Sequence, residues 1–335
     1  MQTPKSDFSF VETMLMQGVG FSAIMDSARM GLFDSLEQGP LTAAAVAGKL
    51  GLEEEPTEAL LELLAGMQLV VSGPTGYANS LVAGEHLVST SPFYQGKALE
   101  LQSRFNDFVT LNLGRLLRGE SDMREEVDDG WGSEDSMTGT LQHARLGGLQ
   151  DTLALVRTLP DLNESGMLCD IGGNHGELSM SLLENYPGMT GELLDLPHVA
   201  EAVGGRIEKR ELGGRLKPVG MDLRLERLGA DRYDLALASH VLYGFVDDLE
   251  GVARMLYESL KPGGWFVSHH LNVAGDLDPN YTAVVQFITR VSGYKSHFIG
   301  KDHLEGALLK AGFTDILSCP AGKRRKGLLM AGRKA

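Results

Sequence analysis

Cysteine is almost missing from this chain: Cys169 and Cys319 are the only two among 335 residues. Two thiols in a chain this long exclude a disulfide framework, and neither stands at a metal-ligand spacing, so no metal site is read and a reducing, cytoplasmic compartment is expected. Positive charge is also scarce, with 30 Lys and Arg against 45 Asp and Glu and a formal net charge of −15. An acidic surface repels phosphate backbones and anionic lipid heads, so neither nucleic acid nor membrane is expected as a partner. A small anionic substrate stays possible, because a pocket can hold its own arginine. No apolar run approaches a membrane span. The opening stretch MQTPKSDFSF lacks a charged segment followed by an apolar one, so no secretory signal is read there. What is plentiful is glycine, 42 residues without a collagen period, which points to turns and close backbone approaches. The length and the 43% hydrophobic content allow two domains with ordinary cores.

Residues 1–95 read as short helices with one hairpin. Met14, Ile24, Ala28 and Leu32 recur at helical spacing between Thr13 and Leu36, and Gly39-Pro40 ends that element. Thr42 caps a helix over Ala43–Leu50, and Pro56 opens another with Leu60, Leu61, Leu64 and Met67 on one stripe. Leu69–Val71, a turn at Gly73–Gly76, and Tyr77-Ala78 make the hairpin, so the pattern is that of a winged helix. Glu53, Glu54 and Glu55 flank its would-be recognition helix, which favours a dimerisation module over DNA binding. Met14, Met16, Met25 and Met30 read as filler of a dimer core. Residues 96–160 read as a connector that walls a pocket: an amphipathic helix over Leu99–Leu117, a polar loop from Gly119 to Gly132, and helical spacing again from Leu141 to Leu159.

From residue 161 onward strands and helices alternate. Strands are predicted at Met167–Ile171, Gly191–Leu194, Tyr233–Ala238 and Trp265–Ser268, with helices at Leu178–Glu184 and Leu249–Leu260. Asp247-Asp248 is placed to cap the second helix, and Lys323–Lys326 reads as a solvated turn. This alternation implies an α/β fold, a doubly wound sheet with helices on both faces. The strongest motif is Asp170-Ile171-Gly172-Gly173-Asn174-His175-Gly176, where a strand runs into a glycine-rich turn and a helix. Asp195 ends the next strand about twenty residues on, placed for a ribose hydroxyl pair. Asp170 puts a carboxylate where a pyrophosphate would otherwise lie, which suits a cofactor with a cationic amino-acid end.

Together with Leu194-Asp195-Leu196-Pro197, Leu260-Lys261-Pro262-Gly263-Gly264 and Leu309–Phe313, that motif resembles the S-adenosylmethionine (SAM)-dependent O-methyltransferases with an N-terminal dimerisation domain. The resemblance covers nearly the whole chain. It implies a seven-stranded Rossmann-like domain, SAM as cofactor, a small-molecule acceptor and a homodimer. It places Gly172, Gly173 and Gly176 along the methionine part of SAM, Asp195 on the ribose, and Asp222 and Leu223 against the adenine. Asp170, Leu196, Ser239 and His240 complete the cofactor set, His240 standing where the family carries a lysine or arginine.

Two departures bear on mechanism. Leu242-Tyr243-Gly244-Phe245 stands where the family carries its catalytic histidine, and His270 where it carries that histidine's glutamate partner. Tyr243 is a poor base, because its own proton leaves only near pH 10. A thioether needs no base, so the missing histidine favours S-methylation, as in the bacterial S-methyltransferase branch that acts on 4-methylthio-2-hydroxybutyrate. The competing expectation is O- or N-methylation with the base relocated to His269, His270 or His297. Outside those two stand a SAM-binding protein that has lost chemistry and a SAM-binding enzyme of non-methyl chemistry. Arg104, Phe108, Gln142, His143, Arg145, Arg290, Tyr294 and His297, with Lys295 and Phe298, are candidates for the acceptor wall or a carboxylate anchor.

Overall fold

The fold is described from a computed structural model, covering residues 2–120, 123–272, 277–322 and 326–335. The chain divides into two compact units, Met1–Glu100 and Leu101–Ala335.

The first unit holds α1 (Ser9–Arg29), α2 (Leu32–Ser35), α3 (Ala43–Leu50), α4 (Glu54–Gly66), the hairpin strands β1 (Val70–Gly73) and β2 (Gly76–Asn79), and α5 (Leu81–His86). Thr42 caps α3 by accepting the Ala45 N–H at 3.2 Å. Pro56 falls within the first turn of α4, not at its start. Those N–H groups have no helical partner, so the missing donor costs nothing there. Leu32, Phe33, Val46, Leu61, Leu64 and Val70 form the core of this unit. The single segment expected over Thr13–Leu36 is two helices, broken at Met30-Gly31.

The second unit carries most of α6 (Gly96–Leu117), then α7 (Arg124–Gly130), α8 (Glu134–Ala144) and α9 (Gly148–Arg157). The continuous helix expected over Leu141–Leu159 is interrupted at Gly147, whose φ of 129° is reached without strain only by glycine. A short helix also stands inside the expected loop Gly119–Gly132. Next come β3 (Met167–Ile171), α10 (Glu177–Asn185), β4 (Thr190–Asp195), α11 (Pro197–Lys209), β5 (Leu216–Gly220), β6 (Tyr233–Ser239), α12 (Leu249–Ser259), β7 (Leu260–Leu271), α13 (Pro279–Val291), α14 (Lys301–Ala311), β8 (Phe313–Ala321) and β9 (Gly327–Lys334).

The seven strands form one sheet in the order β5-β4-β3-β6-β7-β9-β8. β5 through β7 run parallel, and β9 is antiparallel to both β7 and β8. Successive side chains of a strand point to opposite faces, and the two cores follow that alternation. Ile171, Ala236 and Phe266 pack on one face with Leu256 and Leu308. Leu168, Leu235 and Trp265 pack on the other with Val156, Leu182 and Val203. The sheet order changes direction at β3, so the carboxyl ends of β3, β4 and β6 open a crevice where ligands of such sheets bind. Asp248 caps α12 by accepting the Gly251 N–H at 3.0 Å, as its position implied. Of the charged turn Lys323–Lys326, only Lys326 lies within the described residues.

Candidate functional site

The turn after β3 is built so that its backbone stays bare. Gly172 has a φ of 63°, and a Cβ there would lie 2.6 Å from Val241. A Cβ at Gly173 would meet Asp170 Oδ2 at 3.0 Å. Gly176 opens α10 with a left-handed backbone. Asp170 is buried and accepts the Ser179 hydroxyl. Burial pushes its pKa up to about 7, the Ser179 bond works the other way, and the charge of Asp195 adds to the rise.

Asp195 ends β4 beside that turn. It accepts the Asn174 N–H at 2.9 Å and the Leu196 N–H at 2.8 Å. Burial raises its pKa and those two amides hold it down. The Asn174 side chain links the turn outward: its carbonyl accepts the Thr140 hydroxyl at 2.7 Å, and its amide donates to the Trp131 carbonyl at 3.2 Å. Asp222 follows β5, and its pKa is held low by Arg224, whose Nε and Nη2 each donate to the carboxylate at 2.9 Å and whose backbone N–H donates at 3.0 Å. Leu223 is buried in the adjoining core. A bare, half-exposed glycine turn beside a carboxylate at the end of the next strand fits a nucleoside with an amino-acid tail.

Beyond β6 the sequence candidates converge. Ser239 is half-buried, and His240 has a φ of 54°, a left-handed conformation uncommon for a residue with a side chain. The His240 N–H donates to the His269 carbonyl at 2.8 Å, which ties this turn to β7. The His240 ring meets the His269 ring edge to face at 4.5 Å and the His143 ring at 6.4 Å. His240 Nδ1 lies 3.0 Å from the Tyr243 hydroxyl, which also accepts the Leu271 N–H at 2.6 Å. Tyr243 stacks on His297 at 4.2 Å. His143 and His240 are exposed to solvent, and their rings face one another edge to face.

Burial holds every one of these imidazoles neutral. It brings His269 and His297 down to about 4, puts His240 well below the usual histidine range, and lowers His143 with help from the nearby Lys326 charge. It also lifts the Tyr243 hydroxyl far above the ordinary phenol range. The His269 ring is fixed in a slot: a Cβ at Gly148 would run into it, and one at Gly327 would lie 2.7 Å from its Nε2. His270 points elsewhere. It is fully buried, and among the described residues neither ring nitrogen has a hydrogen-bond partner. Among the described residues no three His, Cys, Asp or Glu side chains are arranged to hold a metal ion.

Other candidates are dispersed. Arg104 donates to Ser136 at 3.2 Å, Arg145 faces Glu177 at 3.4 Å, and Lys295 pairs with Asp247 at 2.8 Å on the surface. Phe108 is half-buried on α6, and Gln142 is half-buried one residue before His143 on α8. Arg290 lines a surface groove between α6 and α13 with Leu116, Leu117 and Phe287. Tyr294 donates to Asp128 at 3.2 Å, and Phe298 is buried against the His297 ring. Asp128, Asn174 and Lys326 were not singled out from sequence. Asn174 departs from glycine inside the turn, the one sequence signal among the three.

Comparison with known proteins identifies the family. A methyltransferase domain model matches residues 141–318, and an O-methyltransferase dimerisation domain model matches residues 13–89. The 3-hydroxy-5-methyl-1-naphthoate 3-O-methyltransferase of Streptomyces sahachiroi is 24% identical, over 91% of this chain and 89% of its own. The N,N-dimethyltransferase OxyT of Streptomyces rimosus is 26% identical, over 81% of this chain and 79% of its own. Human N-acetylserotonin methyltransferase, solved with SAM, shares the fold with a TM-score of 0.73 at 20% identity, each chain covered completely. The chain belongs to the SAM-dependent methyltransferases that carry an O-methyltransferase dimerisation domain, and it is an enzyme with SAM as its cofactor.

Proposed function

We propose that the enzyme methylates a hydroxyl or amine of a small molecule held against His143, His240, Tyr243 and His297, with His240 as the proton acceptor. The observation that carries this reading is the His240–Tyr243 pair. The Tyr243 hydroxyl accepts the Leu271 N–H and lies 3.0 Å from His240 Nδ1, so the imidazole is fixed on that side. Its Nε2 has no protein hydrogen bond among the described residues and belongs to a ring open to solvent. This role requires the tautomer in which Nδ1–H donates to the Tyr243 oxygen, so that Nε2 holds a lone pair; the lowered pKa keeps that lone pair free near neutrality and makes the ring a weaker proton acceptor than an ordinary histidine. His269, locked between Gly148 and Gly327, fixes the other side of the ring. Gly172, Asp195, Asp222 and Leu223 hold the cofactor along the neighbouring strand ends. SAM supplies an electrophilic methyl group when bound.

The two Streptomyces relatives described above are named for O- and N-methylation, and both acceptors lose a proton. None of them is named for a thioether, so the base-free alternative rests only on the absence of the family's usual histidine. The test is S-adenosylhomocysteine formation with panels of phenols, amines and thioethers, on the wild type and His240→Ala. Turnover of phenols or amines that falls about 100-fold or more in His240→Ala, with unchanged SAM affinity, is the expected result. Thioether turnover indifferent to His240 would overturn the proposal.

A further inference from the structure

The segment 123–132 crosses the carboxyl ends of the strands that carry the cofactor residues, and it is fastened at both ends. At its start, Met123 is 1% exposed, and its sulfur accepts the Ser292 hydroxyl at 3.5 Å. At its end, the Trp131 carbonyl accepts the Asn174 amide, and a Cβ on Gly132 would lie 2.7 Å from the His198 ring. Between them Asp128 gathers contacts from three separate parts of the chain. Its Oδ2 accepts Arg224 Nη1 at 2.7 Å, its Oδ1 accepts the Tyr294 hydroxyl at 3.2 Å, and its backbone carbonyl lies 3.0 Å from His198 Nε2. Arg224 in turn holds Asp222, the residue placed against the adenine.

We propose that Asp128 is a positioning residue that fastens segment 123–132 across the adenosine end of the cofactor site and sets how fast the spent cofactor leaves. The inference rests on the placement of the cofactor at Asp195 and Asp222. An isolated exposed ion pair contributes little. Here the Asp128 side chain is only 19% exposed, and a cation and a phenol from different elements converge on its two oxygens. Without the carboxylate, Arg224 keeps Asp222, but the segment loses its bond to the β5 loop and its bond to Tyr294, and retains Met123 on Ser292 and Trp131 on Asn174. The negative charge of Asp128 also acts on Asp195 and raises its pKa.

The test uses the full chain and S-adenosylhomocysteine, with dissociation followed by stopped flow and affinity by calorimetry. Asp128→Asn keeps an acceptor for Tyr294 and loses the charge that holds Arg224. It is expected to raise the dissociation rate about tenfold, with its thermal midpoint unchanged. Arg224→Ala, which leaves Asp128 intact but also frees Asp222, is expected to raise the rate at least as much, and the double variant to add little to Arg224→Ala alone. The wild-type rate should rise with salt and the Asp128→Asn rate should not, a response that a merely structural role would not produce. Dissociation within twofold of wild type in both single variants would overturn the proposal while Asp195→Ala still weakens binding strongly. Normal binding in Asp195→Ala would instead overturn the cofactor placement, and this inference with it.

Discussion

His240 shows how a single residue can change role between sequence and structure. In the sequence it occupies a cofactor position of the family. In the fold its left-handed backbone turns the ring away from β6 and into a group of imidazoles drawn from α8, the end of β7 and the loop after α13. Tyr243 then serves as that ring's partner. Tyr243→Phe is expected to lower kcat several-fold and to leave SAM affinity unchanged, measured by single-turnover rates and calorimetry; a loss as large as that of His240→Ala would make Tyr243 more than a support. Asp195→Ala is expected to weaken SAM by a few kcal/mol in the same calorimetry, because charged hydrogen bonds to the ribose disappear. Unchanged affinity would misplace the cofactor. The buried imidazoles also set an acid limit on stability. His269 and His270 have folded pKa values of about 4 against about 6.5 unfolded, so the unfolded chain binds more protons between those values. Stability is therefore full above about pH 6.5 and is lost as pH falls toward 4. Asp170 acts oppositely, since its raised pKa favours the protonated native state below about 7. The two buried histidines outweigh it, and the urea midpoint is expected to fall between pH 7 and 5; a flat or rising midpoint would show that these rings are not neutral as placed.

At the scale of elements, legibility followed how local the determinants were. The strand–turn–helix around Gly172 and the cap at Thr42 are written in consecutive residues, and both stand as read. The break between α8 and α9 was missed because apolar spacing continues through it; only the backbone angle at Gly147 shows that the helix cannot. α7 was read as loop because its residues carry no apolar stripe, and its position comes from Met123, Asp128 and Trp131 gripping distant loops. The histidine group was half legible. His269, His270 and His297 are named as possible bases, but sequence spacing gives no sign that His270 is sealed in the core while His240 is exposed beside His143 and His269. The Gly147 break predicts its own test. Alanine there must adopt a strained φ, so Gly147→Ala is expected to cost about 1–3 kcal/mol in urea unfolding and to displace His143, the penultimate residue of α8. A stability change below about 0.5 kcal/mol would show that α8 and α9 tolerate joining.

At the scale of the whole molecule, the unit 1–100 leaves a long helix without a core of its own. α1 has 21 residues, and Phe10, Met14, Leu15, Met16 and Val19 along it are each more than half exposed. Met25 is buried, but Met14 and Met16 are not, so the methionines read as dimer filler still face solvent in the single chain. Apolar surface on this scale marks an interface, and the same stretch lies within the dimerisation-domain match at residues 13–89. Closed two-fold symmetry lets one such patch cover its own copy, which makes a homodimer the expected assembly. Two chains of net charge −15 repel one another, so the association must come from apolar burial and should tighten as salt screens that repulsion. Light scattering on the intact chain at micromolar concentration is expected to give twice the 36.2 kDa chain mass. Leu15→Glu with Val19→Glu is expected to yield a monomer whose circular dichroism and SAM affinity remain those of the wild type, since neither residue belongs to the core of its own unit. A wild-type chain that stays monomeric across that range, in low and high salt alike, would leave α1 without the partner its surface requires.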